Sequence, residues 1–275
     1  MKTSNHLLRR LTAALLAAVL ALSIALPVFA SDDGDTIYIN SVSDLLSLAK
    51  SCAYDQWSVG KTVILQKDLS LEGMLWEPIP SFSGQFKGNG HTISDLTITG
   101  QYSPAGLFDI VEEQGSVESL SVRGIVSVSD SADTTTGGIV GINHGTLINC
   151  QFTGVVTGDS EVGGIVGRNE SEGTIDHSTA RAIVTGKSST GGIAGYNLGA
   201  ITGCTNVGSI NTEYQEASLD TDGFTAKMVD YINNKMAAAD DDATNSVTNV
   251  ATDTGGIAGR SSGMILTSVN TGTVG

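Results

Sequence analysis

Apolar and polar positions in this chain alternate in short runs cut by glycine, and the runs recur in one register. The frame is clearest around a small or apolar anchor at Leu96, Leu120, Cys150, Ser178, Cys204 and Ser268. Three residues before each anchor stands an aliphatic: Ile93, Val117, Leu147, Ile175, Ile201 and Ile265. Four after it stands Gly100, Gly124, Gly154, Ala182, Gly208 or Gly272. Six after it, in five of the six copies, comes Val126, Val156, Val184, Ile210 or Val274. Runs this short, with period-two alternation and glycine at their ends, predict β-strands rather than helices. A second repeated element is Gly137-Gly138-Ile139-Val140-Gly141, written again at residues 163–167, 191–195 and 255–259, at steps of 26, 28 and 64 residues.

Self-similarity at such a period marks a stacked repeat, because one copy cannot bury its apolar face and neighbouring copies can. The pattern predicts an all-β fold: a right-handed parallel β-helix, or solenoid, with an N-terminal helical cap and one helical insertion. The handedness follows the general preference of parallel crossovers. Leucine-rich and helical repeats need a helical period that these runs lack, and propeller blades run to about 40 residues. Like residues then stack on like, ~4.8 Å apart. Ile139, Ile165, Ile193 and Ile257 are expected to form an aliphatic ladder that Leu107 joins, and Asn143, Asn169 and Asn197 a polar ladder at a corner.

Residues 31–73 are expected to cap the stack. Within them residues 36–40 read as a strand. Ser43 reads as the N-cap of a helix with Leu45, Leu48, Ala49 and Cys52 on one face. Residues 61–65 read as the first strand to join the stack, and residues 74–275 as the β-helix itself. The 64-residue step exceeds the others by an insertion over residues 212–252. There Phe224, Met228, Tyr231, Ile232 and Met236 recur at helical spacing, behind Thr221 or Asp222 and ahead of Asp240. That helix reads as packed sideways on the solenoid or, alternatively, as a docking arm.

The composition suits a glycine-cornered solenoid, with 34 glycines, 4 prolines and 5% aromatics. Residues 1–30 read as a secretory signal peptide. Lys2, Arg9 and Arg10 precede an apolar run, and Val28-Phe29-Ala30 offers small residues for cleavage. An uncleaved anchor is the alternative. The formal charge is −15, and removing the leader leaves eleven basic against 29 acidic residues, or −18. That argues against nucleic acid and anionic membrane as partners and for a secreted, extracellular product, with cell-wall association as an option. Cys52, Cys150 and Cys204 are expected to be free and buried. Cys150 and Cys204 share a rung position, but two rungs part them by about 10 Å, beyond the ~7 Å reach of a disulfide. The last copy stops as its final strand ends, which reads as part of a longer product.

The residues from Phe82 to Leu96, Gly106-Leu107-Phe108 and the glycine boxes resemble the GLUG-motif repeats of bacterial cell-surface proteins. The resemblance spans roughly residues 36–275 apart from the insertion. It implies a β-helix on an extracytoplasmic protein of adhesin-like or wall-attached type, and carries over no catalytic residue.

Candidate chemistry is sparse. A polysaccharide lyase or hydrolase, the alternative function, would need a basic proton acceptor and clustered acids. The available bases are Arg123, Arg168, Arg181, Lys187 and Arg260, with Arg168 and Arg260 in one rung position. His91, His144 and His177 do not share a register, which argues against a metal triad. Asp220-Thr221-Asp222-Gly223 opens like a calcium loop, but Tyr231 stands where the twelfth-position carboxylate belongs. No lysine follows the glycine boxes, so they are not phosphate cradles. Asn169-Glu170-Ser171 matches a glycosylation sequon. No catalytic, cofactor-binding or metal-binding residue is nominated and no cofactor is expected. The function read from the sequence is a non-enzymatic structural or adhesive surface module; its partner is not named by the sequence, and a glycan, the cell wall or a host surface are the candidates.

Overall fold

The computed structural model describes residues 35–54, 56–128, 134–211 and 253–275. The expected leader, the expected helix at residues 224–236 and the Asp220 loop lie outside the described residues.

The described strands stack as a parallel β-helix, each pairing in parallel with its counterpart one rung away. Four sheets run along the stack. Sheet I holds eight strands, from Thr36–Ile39 to Met264–Leu266. Sheet II carries the long strands, including Thr92–Gly100, Ser121–Val128, Gln151–Thr157 and Thr179–Thr185. Sheet III has four short strands, from Thr135–Gly137 to Thr254–Gly255, and sheet IV six, from Ile79–Phe82 to Ala258–Ser261. One complete rung reads Thr135–Gly137, Val140–Asn143, Thr146–Ile148 and Gln151–Thr157.

The pleat sends alternate side chains inward. In Ser121–Val128 the buried positions are Val122, Gly124, Val126 and Val128. The predicted register holds from the second copy onward. Val117, Leu147, Ile175, Ile201 and Ile265 pair in one row, and Val126, Val156, Val184, Ile210 and Val274 in another. The first copy does not follow it. Phe86, not Ile93, pairs with Val117, while Ile93 pairs with Val122 and Leu96 with Gly124. A bulge between Ile93 and Leu96, with Asp95 at φ +59°, shifts that strand. Leu96 then lies where a side chain on Gly124 would have to go.

The glycine box is a close-approach device. A Cβ at Gly137 would meet the Val140 carbonyl oxygen, one at Gly138 would meet the Phe152 ring, and one at Gly141 would meet Pro104 and the backbone of Ala105. The isoleucine between them turns inward. Ile139, Ile165 and Ile193 are fully buried, and their backbone N–H groups bond the isoleucine carbonyl of the next rung at 2.8–3.1 Å. Leu107 joins this ladder as expected, and Phe108 N–H bonds the Ile139 carbonyl at 2.9 Å. Toward the N-terminal end the core is aromatic. Phe82, Phe86 and Phe108 form a cluster with ring centroids 5.4–6.3 Å apart.

The cap helix, Val42–Ser51, buries Leu45 and Leu48. Its N-cap is Ser41 rather than Ser43, and the Ser41 hydroxyl accepts from Asp44 N–H at 3.2 Å. Thr36–Ile39 already pairs with Thr62–Leu65, so the stack begins before the helix and not with residues 61–65.

Polar ladders run through the buried corners. Asn143 Nδ2 donates to Asn169 Oδ1, and Asn169 Nδ2 to Asn197 Oδ1, both at 2.8 Å. Asn197 Nδ2 then reaches Ser261 Oγ at 3.2 Å. The cysteines are free and buried as expected, yet they are more than apolar filler. In the anchor row Cys150 N–H bonds Ser178 Oγ at 3.1 Å, Ser178 N–H points at Cys204 Sγ at 3.4 Å, and Cys204 N–H bonds Ser268 Oγ at 3.1 Å. The residue just before each anchor is left-handed: Ser119, Asn149, His177 and Thr267 have φ between +46° and +52°, and Gly203 has +62°.

Candidate functional site

The bases weighed in the sequence fall on different parts of the surface. Arg168, Tyr196 and Arg260 stand in one row of sheet IV. The two guanidinium carbons lie 5.1 and 5.3 Å from the centroid of the tyrosine ring between them, a cation–π stack. Arg168 is also tied to carboxylates. Its Nη1 donates to Glu161 Oε1 at 2.9 Å. Its Nε lies 2.8 Å from Glu170 Oε1, close enough for an ion pair although the N–H is not aligned for a hydrogen bond. The frame had placed no acids beside Arg168; they come from a neighbouring strand and the following turn. A guanidinium held this way is a structural clamp and a poor proton acceptor.

Lys187 pairs with Asp159 at 2.5 Å in stacked corner loops. The histidines are not brought together. His91 bonds Asp68 at 3.1 Å and His177 bonds Asp176 at 2.8 Å, while His144 lies near Glu172. Among the described residues no group of three metal-type ligands occurs. The sequon is closed, because the Asn169 side chain is fully buried in its ladder.

Arg123 and Arg181 remain, and they share a place. Both pair in register with Thr153 on the outward side of sheet II. They line a shallow groove of ≈ 470 Å³ with Gln151, Thr153, Val207 and Ser209. Gln151 Nε2 donates to Thr153 Oγ1 at 3.3 Å. Arg181 is exposed. Arg123, Gln151, Thr153, Arg181 and Ser209 thus converge on one outward stretch of sheet II. The sequence reading listed both arginines without joining them, yet each stands three residues after its anchor, which the frame could have shown. Tyr196, the residue just after its glycine box, was missed in the same way.

Burial perturbs one carboxyl and the buried thiols. Burial pushes the Asp109 carboxyl up to about 7, and its Oδ1 has no hydrogen-bond partner among the described residues. Burial pushes the Cys150 thiol up to about 12 and the Cys204 thiol to about 11, which keeps both protonated and unreactive.

Comparison with known proteins places a GLUG motif at residues 158–185, the rung that carries Arg181. The chain is similar to halomucin of Haloquadratum walsbyi, with 36% identity over 100 residues, covering 36% of this chain and 1% of halomucin. It is also similar to a candidate Gly-rich membrane protein of Evansella cellulosilytica, with 29% identity over 137 residues, covering 36% of this chain and 16% of that protein. The chain thus spans only a small part of the curated relatives it matches. Among solved structures, a candidate immunoglobulin A1 protease from Bacteroides ovatus aligns over 64% of this chain and 67% of its own, with 15% identity and a TM-score of 0.42.

Proposed function

With a GLUG motif set in a parallel β-helix, we propose that this chain is a non-enzymatic module of a surface-associated protein, a stiff column that displays a binding face. The observation that carries the reading is the continuity of the ladders. Asn143, Asn169 and Asn197, the buried isoleucines and the anchor row each run from rung to rung with matched partners. Side chains that elsewhere do chemistry are spent here on stacking: Arg168 is clamped, the cysteines bond backbone, and the histidines pair singly. The GLUG match and the names of halomucin and the Gly-rich membrane protein support surface association. Secretion through the leader and an adhesive role are the finer parts of this reading.

The test is the location and intact mass of the native product, by cell fractionation and surface protease shaving. Recovery at the cell surface or in the wall, in a product heavier than the 28.3 kDa of this chain, is expected. A cytoplasmic product would sink the reading. Turnover of an acidic polysaccharide by the purified chain, lost on Arg181→Ala, would instead establish the carbohydrate-active enzyme.

A further inference from the structure

Residues 212–252 lie outside the described residues, but both of their roots are fixed in the stack. They leave just after the Ser209–Ile210 strand of sheet II, whose Ile210 pairs with Val184. They return at Asp253, whose carbonyl accepts from Thr190 N–H at 3.0 Å. Asn211 ties the two roots together. Its Nδ2 donates to Thr254 Oγ1 at 3.0 Å, and its Oδ1 accepts from Gly186 N–H at 2.9 Å. In the two preceding rungs the same corner is turned by residues 158–160 and 186–189 alone.

Beside these roots lies the ≈ 470 Å³ groove of sheet II. Val207, four residues before Asn211, stands next to Arg181 in the row that begins with Arg123 and Thr153. It is 40% exposed, and among the described residues no other large hydrophobic between Leu75 and Met264 is exposed. The rest of the groove is less open than a bare sheet face. Val155 stands in the outward row between Ile125 and Ile183, yet it is buried, and Arg123 is already engaged. The insertion carries a segment of matching shape. Phe224, Met228, Tyr231, Ile232 and Met236 fall on one face at helical spacing. A helix over residues 224–236 would be ~20 Å long, which is marginal in water without a surface to pack on. The groove is lined from five successive rungs, by Thr92, Ser121, Gln151, Arg181 and Val207, or ~19 Å end to end. Residues 212–223 can span up to ~40 Å, so the tether reaches any part of it.

We propose that this groove is the docking surface for the chain's own insertion, with residues 224–236 laid along the solenoid axis and their apolar face on Val207 and its neighbours. The other exposed apolar surfaces fit this segment less well. Leu46, Tyr54 and Leu75 stand at the opposite, N-terminal end of the stack. Met264, Ile265 and Leu266 lie on the last described strand of sheet I, an edge whose N–H and C=O groups call for another strand. The inference is independent of where the protein resides in the cell.

The experiment is hydrogen–deuterium exchange of the full chain, read by mass spectrometry on peptides from residues 224–236. Their amides are expected to exchange on the order of tenfold more slowly than in a free synthetic peptide of the same residues. Val207→Asp is expected to abolish that protection and Val207→Ser to reduce it, while Leu266→Asp leaves it unchanged. Val207 is partly exposed, so its variants should melt with the parent, and a circular dichroism melt checks this. If the aspartate variant does not fold, Val207→Ser carries the test. Exchange in the parent as fast as in the free peptide would overturn the assignment, and so would full protection in the folded Val207 variants. Protection lost in Leu266→Asp but kept in Val207→Asp would seat the segment on the last rung instead. Protection that fades on dilution would seat it on a second copy, and either result also overturns the proposal.

Discussion

Asn169 is the residue through which the asparagine ladder is best tested. Its side chain is fully buried. It accepts from Asn143 at 2.8 Å and donates to Asn197 at 2.8 Å and to the Gly173 carbonyl at 3.1 Å. In Asn169→Ala the Gly173 carbonyl stays satisfied, because Ala200 N–H also bonds it at 2.9 Å. Asn143 Nδ2 likewise keeps the Gly145 carbonyl at 3.1 Å. What is lost is two amide–amide bonds at ~1 kcal/mol each, with Asn197 Oδ1 left bare in a dry corner at a further ~1–3 kcal/mol. The expected cost is ~3–5 kcal/mol. Asn143→Ala is the control. It loses one amide–amide bond and bares Asn169 Oδ1, but Asn143 Oδ1 is already without a partner among the described residues, so truncation also removes a standing penalty that offsets the new one. Its expected cost is ~1–2 kcal/mol. Urea unfolding followed by far-ultraviolet circular dichroism, with slopes compared to check that the same surface unfolds, measures both. If the two variants lose stability equally, or Asn169→Ala loses less than ~1 kcal/mol, the ladder is not what holds these corners. Asn169→Asp sharpens the test. Its carboxylate faces an acceptor oxygen, so stability should recover in part on acidification as the protonated acid regains a donor.

Asp109 carries a raised carboxyl, so its folded form holds a proton that the unfolded chain releases near pH 4. The penalty is absent below that pH, grows until about pH 7 and is constant above it. Asp109→Asn should therefore stabilise the fold by ~1–3 kcal/mol at pH 8 and by almost nothing at pH 4; an equal gain at both pH values would contradict the assignment. Cys150 and Cys204 should resist a thiol-specific disulfide reagent at pH 8 in the native chain and react at once in denaturant, so rapid native labelling would place them at the surface. Ser119 occupies a left-handed corner at φ +51°. Ser119→Gly is expected to raise stability by roughly 0.5–1 kcal/mol in chemical denaturation, whereas a loss would mean the hydroxyl matters more than the backbone.

The repeat was legible because stacking imposes one environment on each row, and one environment selects one kind of side chain. Val117, Leu147, Ile175 and Ile201 look alike because they occupy the same place. The first copy was misread because a bulge at Ser94-Asp95 adds length without changing the apolar pattern, so Ile93 passed for the partner of Val117. The N-cap was misplaced from Ser41 to Ser43, since one serine precedes the first helical turn and another lies within it, and only backbone geometry tells them apart. The cysteine–serine alternation looked like interchangeable small residues. What the row selects is an atom able to accept a backbone N–H from the previous rung, and Sγ and Oγ both do so. The groove escaped because residues on an outward row are free to differ, and Arg123, Thr153 and Arg181 announce no repeat.

Nearly identical glycine boxes raise a problem of address: a box has little to say about which neighbour is the right one. The residue lying over the second glycine supplies the label. Phe152 lies over Gly138, Ala180 over Gly164, Asn206 over Gly192 and Asn270 over Gly256. The last two labels match, for Asn206 Nδ2 donates to Asn270 Oδ1 at 2.7 Å. That handshake spans the 64-residue step. Closing a loop of that length instead of 28 residues adds only about 0.7 kcal/mol of chain entropy, at ~0.6 kcal/mol per doubling. One amide–amide bond is of that size. An insertion at this corner is therefore thermodynamically cheap once the two flanking rungs identify each other, and such a corner is where a repeat protein can acquire new sequence without losing count.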